Sequence, residues 1–164
     1  MKPYKFVIKW NGNSYDCTWS DDTDFEKLPR VLGVHGFVFN DKNEFCIIRT
    51  KEDTKWSDTG GGPEKQDKTF EDTFIREVDE EADLEIKDIK RLGFIHIIPR
   101  HNPADEHQQV RFVAQVKKIK PQTIDPAEGT INERKFISPK DFNKHCGWGE
   151  NGEFQIKRAL KRLK

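Results

Sequence analysis

Between Arg76 and Glu85 the chain reads REVDEEADLE, ten residues with six carboxylates and a single cation. Like charges three and four residues apart on a helix repel by about 0.2–0.5 kcal/mol per pair, so a segment this acidic needs either water or a counter-charge. Glu77, Glu80 and Glu81 stand at i, i+3 and i+4, the spacing that stacks side chains on one helix face. Three converging carboxylates suit a hard divalent cation such as Mg²⁺, which takes oxygen ligands and keeps positions for water and phosphate oxygens. The competing reading is a solvated face, but such faces usually interleave Lys or Arg at i+4, and this one has none.

The elements around this segment must hold it in place. Thr69 and Asp72 form a capping-box-like start, and Phe70, Phe74, Val78 and Ala82 recur every four residues with Ile75 beside them. At about 100° per residue these make one buried stripe. Glu77, Glu80 and Glu81 fall on the adjoining sector, while Arg76, Asp79 and Asp83 point away. Immediately before the helix, Gly60, Gly61 and Gly62 predict a shaped loop rather than a strand interior, with backbone free to approach a ligand.

Upstream, Tyr4 to Trp10 and Ser14 to Trp19 alternate in polarity around Asn11-Gly12, a strong hairpin signal because both turn residues tolerate φ > 0. Two-stranded units are marginal alone, so this hairpin must pack on the sheet or on a second subunit. VLGVHGFVFN and EFCIIRT, turned by Asp41-Lys42-Asn43, are apolar enough for strands buried on both faces. Downstream, strands are expected from Ile86 to Ile98 and from Gln109 to Ile119, across the turn PRHNPADEH, followed by the extended piece RKFIS. Ser138-Pro139-Lys140-Asp141 reads as N-cap, N1 proline and acidic first turn, and a basic amphipathic helix closes the chain from about Glu153 to Leu163.

At 164 residues the chain suits one domain, residues 1–164, with residues 1–24 as an N-terminal extension. Formal net charge is zero, and no basic stripe carries interleaved aromatics, so neither nucleic acid nor an anionic membrane is an expected partner. No segment approaches the roughly 20 apolar residues needed to span a bilayer. Cys17, Cys46 and Cys146 are odd in number and widely spaced, as in reduced thiols of a cytoplasmic protein.

The acidic segment resembles the signature of the Nudix hydrolases: a glycine, five residues, Glu, seven residues, then Arg-Glu-apolar-x-Glu-Glu-x-Gly-apolar. Arg76, Glu77, Val78, Glu80, Glu81 and Leu84 match its dense end. Two positions depart. Asp83 replaces the late glycine, and strict spacing from Gly62 puts Lys68 where the first Glu belongs. One extra loop residue would instead give the glycine role to Gly61 and the acidic role to Asp67, with Glu64 as a second loop acid; loops absorb insertions that helices do not.

The resemblance, which covers about Val31 to Leu163, implies an α+β fold, a mixed β-sheet sandwiched between helices, with the hairpin added at the N-terminus. It implies Mg²⁺, or Mn²⁺, held by Glu77, Glu80 and Glu81, and Arg76 anchored by Asp67. It implies a pyrophosphohydrolase of a nucleoside diphosphate joined to another group, acting on a small nucleotide substrate. Glu80 and Glu81 enter the catalytic set with Glu128 and Glu133, acids of a late loop where a general base is expected, Glu128 being the first choice. Gly61, Gly62 and Arg100 are the expected substrate contacts. Pro99, fifteen residues after Leu84, inclines the expectation to ADP-ribose or nucleotide sugars; nucleoside triphosphates or oxidised nucleotides are the alternative. A module of this fold that binds ligand without turnover, motivated by Lys68 and Asp83, is the alternative of another class, and a homodimer is compatible with either.

Overall fold

The computed structural model describes residues 2–164. Strands β1 (Tyr4–Trp10) and β2 (Asn13–Ser20) form the hairpin, and Asn11 (φ 47°) with Gly12 (φ 76°) turns it. Next come β3 (Val31–Phe39), β4 (Phe45–Arg49) and β5 (Thr59–Gly61), then the helix α1 (Phe70–Ala82). The long strands β6 (Leu84–Pro99) and β7 (His107–Ile119) lead to β8 (Glu133–Ile137) and to the helices α2 (Phe142–Cys146) and α3 (Glu150–Leu163). The sheet runs β1-β2-β6-β7-β3-β4-β8, with β5 paired to β3. Only β3 and β7 are parallel, so the sheet is mixed.

Helices cover both faces. On one, Phe74, Val78 and Ala82 of α1 pack against Val34, Val38, Cys46 and Phe112. On the other, Phe142, Ile156 and Ala159 of α2 and α3 meet Phe37, Phe39, Ile47 and Ile95. Strand β3 therefore sends apolar side chains to both layers, as its near-continuous apolar run predicts. The hairpin is not an appendage: Cys17 and Trp19 are 2% and 4% exposed in the core, β2 pairs with β6 from Tyr15↔Pro99 to Ser20↔Phe94, and Tyr4 stacks on Phe154 of α3 at 3.8 Å.

Several expectations need correction. Gly60 and Gly61 lie in the strand β5, opposite His35 and Val34. Ile75 is 44% exposed, whereas Thr73 is fully buried, because α1 is rotated about its axis so that the side bearing Thr73, Glu77 and Glu81 turns inward against β5. Ser138 makes no capping bond; Pro139–Asp141 is a single 3₁₀ turn ahead of α2, and the last helix begins at Glu150.

Candidate active site

Loop and helix are fastened together at the N-terminus of α1. Thr69 accepts from the Asp72 N–H at 3.1 Å while the Asp72 carboxylate accepts from the Thr69 N–H at 3.1 Å, a complete capping box. Arg76 is the centre of the next layer. Its Nε and Nη2 donate to Asp67 at 3.1 and 2.9 Å, its Nη2 also to the Gly62 carbonyl at 2.9 Å, and its Nη1 to Glu77 at 2.9 Å and Glu80 at 3.2 Å. Arg76 thus folds back along the acidic face instead of pointing away from it, since a long side chain reaches both i+1 and i+4. The loop acid that meets it is Asp67, which also accepts from Thr73 Oγ1 at 3.0 Å; the Lys68 side chain is exposed. The guanidinium holds the Asp67 carboxyl well below the usual carboxylate range, at about 2.

Glu81 is placed differently. It accepts the Gly60 N–H at 2.8 Å and has no cationic partner. Burial pushes its carboxyl up to about 9, with Glu77, Asp58 and Asp125 adding to the rise and the Gly60 N–H opposing it. Glu77 is also raised by burial, with Arg76 opposing. Gly61 is where the absence of a side chain matters, because a Cβ there would overlap the Glu77 carboxylate; at Gly62 there is room for one.

Asp83 closes the helix in the left-handed region, φ 51° and ψ 46°. Its carboxylate accepts from the Thr123 N–H at 2.9 Å and the Thr123 hydroxyl at 2.6 Å, which offsets the conformational strain a glycine would avoid. Arg134 donates to the Ala82 carbonyl at 2.6 Å, a cation where the helix dipole is negative.

The remaining expected site residues lie elsewhere. Arg100 is paired with Asp16 of the hairpin at 2.7 Å on the surface. Glu133 is bonded to Arg49, its partner across β4 and β8, and Glu128 stands exposed at its loop tip. The acid of that loop beside Glu81 is Asp125, 3% exposed, bonded to Asn132 at 3.2 Å, while Asn132 donates to the Glu81 carbonyl at 3.3 Å. Asp125-Pro126 followed by Gly129 is a turn signal, and Asp125 caps its own turn by accepting the Ala127 N–H at 2.8 Å; that bond draws it inward and leaves Glu128 outside.

A cavity of about 500 Å³ lies on the face of the sheet opposite α1, against α2 and α3. His35, Asp58 and Arg111 line it, with Trp10, Trp56 and Trp148 around them. Asp58 is bonded to Arg111, and both are more than nine-tenths buried. Although burial acts against the charged form of Asp58, Arg111 and His35 hold its carboxyl below the usual range. Apart from Trp56, these lining residues carry no pattern that marks them in the sequence.

A mixed sheet covered by helices on both faces, with a glycine-containing segment leading into a helix that carries Glu77, Glu80 and Glu81, is the Nudix hydrolase architecture. The family profile described as NUDIX domain matches residues 29–158. The chain belongs to the Nudix family, whose hydrolases act on pyrophosphate linkages and generally use divalent metal ions. No curated protein sequence matches it significantly. Among solved structures it is similar to a Bacillus subtilis pyrophosphohydrolase, BsRppH, at 19% identity and TM-score 0.68, covering 98% of this chain and 95% of that one. The NUDIX domain of Shewanella oneidensis NrtR, complexed with ADP ribose, shares 16% identity at TM-score 0.62, over 88% of this chain and 95% of that one. The C. elegans Ap4A hydrolase shares 15% at TM-score 0.54, over 82% and 99% respectively.

Proposed function

We propose that this protein is a Mg²⁺-dependent pyrophosphohydrolase that cleaves the diphosphate linkage of a nucleoside diphosphate joined to a second group. The observation that carries this reading is Glu81, a withdrawn carboxylate with one backbone donor and no cation, next to Glu77 and Glu80. Among the described residues no three acidic, His or Cys side chains are already gathered around one point. The donor set nevertheless fits a hard cation: three carboxylates on one face, two sharing Arg76 as a temporary counter-charge, and one lacking any. Glu77, Glu80 and Glu81 would hold the ion, which when bound supplies the positive charge that offsets the diphosphate.

The protein's own contribution is positioning. Gly61 lets β5 lie against Glu77, Asp67 and Arg76 lock the loop to the helix, and the Gly60 N–H orients the Glu81 carboxylate. Glu80 has a side chain 26% exposed against 13% for Glu77, so it is assigned proton acceptance from the attacking water. The reading without turnover loses its motive, because Asp67 occupies the place that Lys68 left open and Asp83 fulfils the turn. Arg100, held by Asp16, gives no support to an ADP-ribose preference, and the acidic face serves linked diphosphates and triphosphates alike, so the kinetics decide between them.

A screen with Mg²⁺ over ADP-ribose, nucleotide sugars, dinucleoside polyphosphates and triphosphates tests the function. Turnover is read as phosphate set free when a phosphatase and a pyrophosphatase are added to the phosphomonoester and pyrophosphate products, with unreacted triphosphate and dinucleotide controls separated by chromatography. Metal-dependent turnover abolished by Glu80→Gln is expected. No turnover on any pyrophosphate linkage, or full activity of that variant, would refute it, and a tenfold preference for triphosphates, about 1.4 kcal/mol, would reverse the substrate choice.

A further inference from the structure

We infer, on the metal-dependent reading above, that Asn132 and Arg134 are positioning residues for the carboxylate helix: they hold the carbonyls of its last turn and so fix where Glu81 and its neighbours stand. An α-helix leaves its last four carbonyls without partners of its own. A left-handed closing residue usually lets the N–H groups that follow turn back to them, but here the Asp83 N–H reaches only Asp79, at 2.9 Å, and Leu84 already begins β6. The carbonyls are met from a distant segment instead. Asn132 Nδ2 donates to the Glu81 carbonyl at 3.3 Å, Arg134 Nη1 to that of Ala82 at 2.6 Å, and the Lys120 N–H to that of Asp83 at 2.9 Å. Three successive carbonyls of the carboxylate helix thus depend on residues 120–134.

Asn132 is the innermost of these joints. It is 4% exposed, and its amide nitrogen bonds both the Glu81 carbonyl and Asp125, the latter at 3.2 Å. Its Oδ1 is buried without a partner among the described residues. A bare buried oxygen costs stability that a leucine of similar size would not, so it is the donors that the position uses. Glu81 is thereby gripped twice, its carboxylate by the Gly60 N–H at 2.8 Å and its backbone by Asn132. Arg134 Nη1 also reaches the Asp83 and Lys120 carbonyls at 3.4 and 3.2 Å, which ties the end of α1 to the segment that leaves β7. A ligand already in place loses less freedom when the cation binds, and the difference appears as affinity.

Calorimetric titration of the full chain with Mg²⁺, without nucleotide, reads this placement apart from turnover. Asn132→Leu, similar in size and without donors, is expected to weaken Mg²⁺ about tenfold or more, the range found when a partner that orients a metal ligand is lost. Kinetics should then show a higher Mg²⁺ requirement with KM for substrate unchanged at saturating metal. Arg134→Met should also weaken Mg²⁺, and Arg134→Lys, which keeps a donor, should recover part of the loss; this pair decides alone if Asn132→Leu does not fold. Ile156→Val, buried on the opposite face of the sheet, controls for lost stability and should leave Mg²⁺ affinity unchanged. Wild-type affinity in Asn132→Leu and Arg134→Met, or an equal loss in Ile156→Val, overturns the inference and leaves metal-dependent hydrolysis standing. A chain that hydrolyses pyrophosphate yet binds no Mg²⁺ without nucleotide overturns it too, since its ligands are then not held beforehand. A chain that neither binds Mg²⁺ nor hydrolyses pyrophosphate sinks the metal reading and the positioning role together.

Discussion

Removing the charge of Asp67 isolates the joint between the glycine loop and the acidic helix. In the folded protein the Arg76 guanidinium holds the Asp67 carboxyl at about 2, against about 3.9 in an unfolded chain. With the side chain only 5% exposed, and about 1.4 kcal/mol per unit of difference, the charge contributes about 2–3 kcal/mol. Asp67→Asn should then lower the melting temperature by about 4–8 °C at neutral pH for a domain of this size. The sign follows from the direction of the shift. A depressed folded pKa stabilises above the unfolded value and loses that contribution as pH falls through the folded one. The deficit of the variant should therefore be full above about pH 5 and shrink from pH 4 toward pH 2. Calorimetric melts from pH 2.5 to 7, with Lys68→Ala as a control, measure it. A deficit of the same size at every pH, or an equal one in Lys68→Ala, would show that the carboxylate of Asp67 does not anchor Arg76 by charge.

Glu81→Gln should abolish most Mg²⁺-dependent turnover while the metal-free melting temperature holds, because burial keeps the metal-free carboxyl protonated at neutral pH and the amide replaces it with a neutral group of the same shape; a fall of many degrees in metal-free melts would make Glu81 a structural acid. Gly61→Ala puts a Cβ into the Glu77 carboxylate and should displace that flexible side chain, lowering turnover with little change in stability, whereas Gly62→Ala, with room at that site, should change neither; kinetics and denaturant titrations compare them. The three free cysteines are buried, and burial pushes Cys17 up to about 11 and Cys46 and Cys146 up to about 12, so native protein at pH 8 should react with a thiol reagent only slowly while denatured protein reacts at once.

The local grammar of the sequence accounts for much of this architecture. Asn11-Gly12, the Thr69 cap, the four-residue stripe of α1 and the near-continuous apolar run of β3 each state a conformation without tertiary help. The rotation of α1 was not legible, because Ile75 and Glu81 exchange the places their polarity suggests, and only the contact with Gly60 and Gly61 makes that favourable. The late loop failed for a related reason: Glu128 is the more conspicuous acid, but Asp125 is the one whose carboxylate closes a turn. Arg111, His35 and Asp58 come from three strands and loops far apart in sequence, and nothing short of the sheet order brings them together. Arg100 shows the opposite error, a cation at a turn whose partner, Asp16, belongs to a strand read as an addition.

The pairing of the hairpin also constrains the order in which the chain can be made. Its turn closes locally, as soon as Tyr4 to Ser20 have left the ribosome, but β2 waits for Phe94 to Pro99, and Tyr4 waits for Phe154. Until then Cys17 and Trp19, destined for the core, have no cover. Synthesis at roughly 5–20 residues per second leaves that apolar face open for seconds, long enough for a chaperone to bind it.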